Sequence, residues 1–429
     1  MQIQKPFLGA VGGSFVLIQL LFLVNMSYLY GTAFNDTHRM KALKILLVDY
    51  DDGVVGRSVK AAYSQLASPS FPTIIEHSST DYPTANNIRE AVCKGHYWGA
   101  IYANPNASSR LSAALASPEA AQTYQNFGAL TYISNGGRYP AYGQVISSSF
   151  QILVQGTRGA YNAMMGIEAM STANTTNANI AQVLFDPIAA SSIDISPTNQ
   201  GVRFYYNTVT LVMVILPQFF FVMALNGISA ETNIFGSLSL KKNIAVRLGV
   251  SICFTFIASL CMTGYIWAFR EDWGVTSAQF SLTWMALWLA MHLNYFIIDS
   301  VTAVIPMKFM AFFILTWVIM NVSSTLSPFE LSPGWYRIGY ALPAYELYQV
   351  LLDIWTHGCN PTLYRSLPVL FSWWLVAFVT FVAAMRRRVL SASPTLQSRV
   401  LSTLRRPNPN LGGIRFRKNI LHDARKSSN

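Results

Sequence analysis

FLGAVGGSFVLIQLLFLVNMSYLY, residues 7–30, contains no Asp, Glu, Lys or Arg. A helix crosses the ~30 Å hydrocarbon core of a bilayer with roughly 20 predominantly apolar residues, so this run is long enough to span. It exceeds the apolar region of a secretory signal, and no A-x-A cleavage site follows it. It reads as a signal anchor retained in the mature chain. The same test applied outward finds five more uncharged windows: between Arg203 and Glu231, Arg247 and Arg270, Asp272 and Asp299, Lys308 and Glu330, and Arg365 and Arg386. Composition agrees, because only 11% of the 429 residues are charged and 52% are hydrophobic, where a soluble chain carries about 25% charged residues. That deficit excludes an ordinary soluble enzyme and makes lipid the solvent of much of the polypeptide.

The expected fold class is an α-helical integral membrane protein with six transmembrane helices and an α/β extracytosolic domain between the first and second spans. Residues 1–6 form a short cytosolic N-terminus, 7–30 the first span and 31–201 the extracytosolic domain. Spans two to five cover 204–226, 248–269, 276–298 and 308–327; an outer amphipathic segment covers 330–365, the sixth span 366–385, and a basic cytosolic tail 386–429. Orientation follows from the tendency of Lys and Arg to stay on the cytosolic side. Lys241, Lys242 and Arg247 flank the second and third spans, and the tail carries eleven basic residues against the single acid Asp423. Nearly all of the net charge of +11 sits in that tail, where it retains the chain at the membrane and meets anionic lipid headgroups. No nucleic-acid motif accompanies it. Both termini are therefore expected in the cytosol, and the protein in the plasma membrane or an endomembrane.

Within residues 31–201, the segments 44–50 and 97–103 read as buried strands and 73–77 and 130–134 as weaker ones, with helices over 54–66, 84–94 and 106–115 between them. A longer helical pattern covers 139–170, and the polar stretch 171–200 reads as an irregular linker. Sequons at Asn35, Asn106 and Asn174 suit a glycoprotein of the secretory pathway. Cys253 and Cys261 fall inside the third span as small apolar residues. Cys93 and Cys359 share the oxidising side, where a disulfide between them is permitted and nothing in the sequence requires it.

No phosphate-binding G-x-x-x-x-G-K-[ST], zinc-protease helix or G-x-S-x-G elbow occurs. The chain is accordingly expected not to be an enzyme and to use no cofactor or metal. Asp49, Asp51, Asp52 and Gly53 lack the spacing of a calcium loop and read as a turn whose carboxylates cap the next helix. His292, Tyr295 and Asp299 share one face of the fourth span by their spacing. Ionisable groups at membrane depth are costly and often functional, which makes His292 and Asp299 pathway candidates; the plainer reading seats Asp299 at the cytosolic interface near Lys308. Leu347, Val350, Leu351 and Ile354 recur at helical spacing with Glu346 and Asp353 on another face, the pattern of an amphipathic helix at the outer interface. PGWYRIGYALP, residues 333–343, reads either as a structural clamp against spans five and six or as a substrate vestibule. In the second case Trp335, Tyr336, Arg337 and Tyr340 belong to the pathway.

The order of one span, a large outer domain and five spans joins four motifs: VDYDDGVVG (48–56), YWGAIYANPNAS (97–108), YYN (205–207) and PGWYRIGYALP. In these features the chain resembles a fungal family of membrane proteins named for nitrosoguanidine resistance, which is distantly similar to phage-infection proteins and type-2 ABC exporter permeases. The resemblance implies tolerance of alkylating or other toxic compounds and an effect on membrane lipid distribution. The function expected is resistance to, or export of, toxic lipophilic small molecules. Its alternatives are a non-transporting scaffold or regulator of another transporter, or a self-protection component serving a metabolite pathway. Expected partners are membrane lipids and a lipophilic small molecule, with either a partner transporter or a second copy of the chain.

Overall fold

The computed structural model describes residues 5–392. Residues 1–4 and 393–429, and with them most of the expected basic tail, lie outside the described residues. The opening apolar run forms α1 (Lys5–Thr32). A layered α/β unit follows: β1 (Lys44–Asp49), α2 (Val54–Leu66), β2 (Thr73–His77), α3 (Ala85–Cys93), β3 (Gly99–Ala103), α4 (Ala107–Ala116), α5 (Pro118–Thr123), β4 (Leu130–Ser134), α6 (Pro140–Thr172), α7 (Ala178–Phe185) and β5 (Ala190–Asp194). The strands make one sheet in the order β2-β1-β3-β4-β5, with every neighbouring pair parallel except β3 and β4.

Alternation along the strands feeds two cores. Leu46, Val48, Ala100 and Tyr102 point to Ile88 and Val92 of α3, while Ile45, Leu47 and Ile101 join Val55 and Val59 of α2 and Phe150 and Leu153 of α6 on the other face. Strands covered on both sides read as unbroken apolar runs, which is why β1 and β3 are visible in the sequence. The expected linker at 171–200 is corrected: it supplies α7 and β5. Its strand, ASSID, is an edge with its last four residues exposed, so it carries no apolar signal.

The second part consists of α8 (Val209–Glu231), α9 (Ile234–Ser237), α10 (Leu240–Ala268), α11 (Ser277–Thr302), α12 (Met310–Leu326), α13 (Pro343–Trp355) and α14 (Leu363–Ala392). Six helices among the described residues are long and apolar enough to cross a membrane: α1, α8, α10, α11, α12 with its preceding turn, and α14. α10 starts early enough to carry Lys241, Lys242 and Arg247 on the helix rather than in a loop. α11 is the hub, touching α8, α10, α13 and α14. Residues 290–296 of it are all buried, so it faces protein and tolerates a mean hydropathy of 1.3 against 2.0 for α10. α1 lies at the edge against α12, where Asn25 Nδ2 donates to Thr316 Oγ1 at 3.2 Å.

α13 departs from the expected interfacial helix. Residues 343–352 are buried all round, Glu346 and Gln349 included. α12, α14 and the short helical turn Gly334–Ala341 pack on it, and the sheet unit closes over it through Tyr139, whose ring lies 5.3 Å from that of Tyr348. Glu346 tolerates burial because Ser366 Oγ donates to it at 2.6 Å and Arg365 Nε lies 3.2 Å away. Burial still pushes its carboxyl up, against the pull of those two partners. A disulfide between Cys93 and Cys359 joins the end of α3 to the loop after α13.

Candidate functional site

Helical spacing aligns Gln279, Leu282, Ala286, Leu289 and His292 on one face of α11, and Leu367, Phe371 and Trp374 on the facing side of α14. Between these faces, with the C-terminal turn of α13 at one end and Ile252 of α10 at the side, lies a cavity of about 870 Å³. That is the size range of small-molecule sites. From Gln279 to His292 it runs about 20 Å at the rise of an α-helix. Leu282 and Phe371, each 55% exposed, leave its wall open on the surface a bilayer would cover.

At the deep end, Trp374 Nε1 donates to His292 Nδ1 at 3.3 Å, and His292 Nε2 lies 3.1 Å from Ser251 Oγ. An indole N–H can only donate, so Nδ1 accepts and the ring hydrogen sits on Nε2 toward Ser251. The Ser251 hydroxyl donates in turn to Leu248 O at 2.8 Å. His292 is thus a neutral ring with both nitrogens satisfied, and a second ring proton would confront the indole donor.

The other end is a polar rim. Thr276 and Gln279 form a capping box that starts α11, and Gln279 Nε2 donates to Ile354 O at 2.7 Å, tying that start to the end of α13. The same amide lies 3.4 Å from His357 Nε2. His357 and Gly358 both have left-handed backbones, φ 54° and 85°, and Gly358 N donates to Asp353 O at 2.8 Å. This double reversal ends α13 and holds Asp353 and His357 at the rim. Among the described residues, Asp353 is the only Asp, Glu, Lys or Arg lining the cavity. Burial pushes its carboxyl up, opposed by the backbone N–H of Asn360. Cys359 comes next, so the disulfide anchors this rim to α3 of the sheet unit.

Asp299 belongs to a different cluster. It is fully buried and receives Arg247 Nε at 3.1 Å and Arg388 Nη1 at 2.9 Å, with Arg247 Nη2 also on its carboxylate. Arg388 Nη2 donates to Thr302 Oγ1 and to Asp299 O, both at 2.6 Å. Arg247 reaches Asn226 and Ser229 of α8, and both guanidiniums lie over the Phe235 ring at 5.7 and 5.8 Å. One carboxylate thus gathers the ends of α8, α11 and α14 and the start of α10. The expected neighbour Lys308 is instead over the Phe309 ring at 5.1 Å, a correction that sequence proximity could not supply.

None of Trp335, Tyr336, Arg337 and Tyr340 lines the cavity. Trp335 and Arg337 are exposed. Tyr336 is buried against Tyr28 of α1 with ring centroids 5.1 Å apart, Tyr340 meets Phe329 at a tilt and Tyr345 edge-on, and Trp373 Nε1 of α14 donates to Ala341 O at 2.7 Å. These contacts are those of a clamp joining α1, α12, α13 and α14. Asn35, Asn106 and Asn174 are all exposed. The acidic turn is also arranged differently from expectation. The N-cap of α2 is Gly53, Asp51 accepts Ser108 N at 2.8 Å, and Ser108 Oγ in turn accepts Val55 N at 3.0 Å. The motifs at 48–56 and 97–108 therefore lock to each other.

Reading the sequence missed Gln279, His357 and Trp374 as cavity residues, and assigned Asp353 to a helix face without a role. A visible signal was also passed over. Ser251, Thr255, Ser259 and Thr263 recur every fourth residue on α10 in register with Arg247 and are all buried, a seam of small polar side chains that lets helices approach closely.

No solved structure matches this fold. The family model described as "Protein of unknown function (DUF3533)" matches residues 14–379, from within α1 to within α14, and the chain belongs to that family.

Proposed function

We propose that this multi-pass membrane protein takes lipophilic small molecules from the bilayer into the cavity between α11 and α14, and so contributes to resistance to or export of toxic compounds. The observation that carries the reading is the cavity itself: about 870 Å³, apolar along its length, polar at one rim and open at Leu282 and Phe371. A lipid-side opening suits a ligand that partitions into the membrane first. In this reading the chain is not catalytic, and the absence of a phosphate-binding loop in the sequence leaves the driving force to a gradient, a partner or downhill flow.

The same reading places both termini in the cytosol and the sheet unit outside, in the plasma membrane or an endomembrane. Two features support it. The Cys93–Cys359 disulfide suits an oxidising compartment for the sheet unit and the rim. At the opposite helix ends lie Lys241, Lys242, Arg386 and Arg387, where the positive-inside tendency would put the cytosol.

The test uses cells lacking the protein, challenged with an alkylating agent while accumulation of a labelled lipophilic compound is followed. The wild type should restore growth and lower accumulation, and Ala286→Phe, which intrudes into the cavity, should do neither at equal expression. Equal rescue by both removes the cavity from the mechanism. Restored growth without any change in accumulation favours regulation of another transporter.

A further inference from the structure

We infer that the cavity selects lipophilic cations: a single positive charge seated at Asp353, with an apolar body between α11 and α14. The inference rests on the reading of the cavity as the binding site and adds the charge of the ligand. Asp353 is half-buried and, among the described residues, is the only Asp, Glu, Lys or Arg lining the space. It has no Lys or Arg partner among the described residues; its polar support is the Asn360 backbone N–H. A carboxylate withdrawn from water without a counter-ion is costly, and an arriving cation recovers that cost.

The rest of the described rim holds no Lys or Arg. Gln279 Nε2 lies 3.4 Å from His357 Nε2. At the deep end the indole N–H of Trp374 donates to His292 Nδ1, so that nitrogen carries no proton and the ring is neutral. An anionic amphiphile would bring its charge against Asp353 with no Lys or Arg among the described lining residues to receive it. A zwitterionic phospholipid headgroup has the same defect, because its phosphate finds no Arg or Lys among the described lining residues. A lipophilic monocation matches both features, and Trp288, Phe371 and Trp374 offer it aromatic faces.

The experiment measures binding of labelled tetraphenylphosphonium to the full-length chain in phosphatidylcholine nanodiscs, with tetraphenylborate as an anion of nearly the same shape. Saturable binding of the cation is expected and none of the anion. Asp353→Asn should weaken the cation by about 10-fold or more, as loss of one close opposite charge implies. Asp353→Glu should retain it, and Ala286→Phe should abolish it. Equal binding of both ions, or an unchanged affinity in Asp353→Asn, overturns charge selection while the cavity reading survives if Ala286→Phe still blocks. Saturable binding of neither ion overturns the selection, and an Ala286→Phe variant that also behaves as wild type in cells overturns the cavity reading with it.

Discussion

Replacing Asp299 by Ala removes the one carboxylate between two guanidiniums, and the consequences can be ranked in advance. Asp299 is fully buried, and its side chains of contact, Arg247 and Arg388, are 4% and 11% exposed. Taking the carboxylate away strands two positive charges at once, and breaking a buried pair in this way costs about 3–5 kcal/mol. Arg247→Ala leaves Asp299 paired with Arg388 but takes the Arg247 donor from Asn226 Oδ1 on α8, while Ser229 keeps its bond to Leu225 O. Arg388→Ala is mildest: Arg247 and Asp299 remain as a neutral pair, and the loss is that of charge-assisted hydrogen bonds at a partly exposed site, about 1.5–3 kcal/mol at most. The assay is the fraction of monodisperse protein left after heating in detergent. Resistance should fall in the order Arg388→Ala, Arg247→Ala, Asp299→Ala, with the last the least stable. An Arg388→Ala protein as unstable as Asp299→Ala would refute the reasoning, because it would mean that the second arginine is essential to the cluster rather than its surplus charge.

Proteolysis without reduction followed by mass spectrometry should recover a peptide linking Cys93 to Cys359, and replacing both by Ala should cost about 2–5 kcal/mol of stability; separate unlinked peptides would contradict the fold of the rim. The intact chain should retain α1, and a mass short by about the first thirty residues, enough to remove a span of that length, would show cleavage instead. Neutralising Arg386 and Arg387, which are exposed, should leave thermal resistance unchanged while Arg388→Ala lowers it. An equal effect of all three would return them to the role of undifferentiated surface charge.

The spans were legible because hydrocarbon admits so few charges that a window without them is nearly a measurement of length. Strands β1 and β3 were legible for a related reason, since burial on both faces leaves no polar alternation to confuse the reading. What escaped was whatever depends on a distant partner. Glu346 marks α13 as amphipathic in sequence, yet Ser366 and Arg365 cover it from α14. Asp299 finds Arg247 and Arg388 at separations of 52 and 89 residues. His292 stood out for its depth in the fourth span, but the cavity it closes also needs Trp374 from α14, 82 residues away, and the reversal at His357 and Gly358, which has no periodic signature. The edge strand β5 escaped because its exposed residues are those a loop would also have.

Photolabelling tests the central claim most directly. A lipophilic cation carrying a diazirine, activated in membranes containing the full-length protein and followed by peptide mapping, reports where the compound resides. Labels concentrated on residues of α11 between Gln279 and His292 and of α14 between Leu363 and Trp374, and lost in Ala286→Phe, are the predicted result. Labels spread over the lipid-facing sides of α1, α8 and α10 with no enrichment at those two faces would contradict the account.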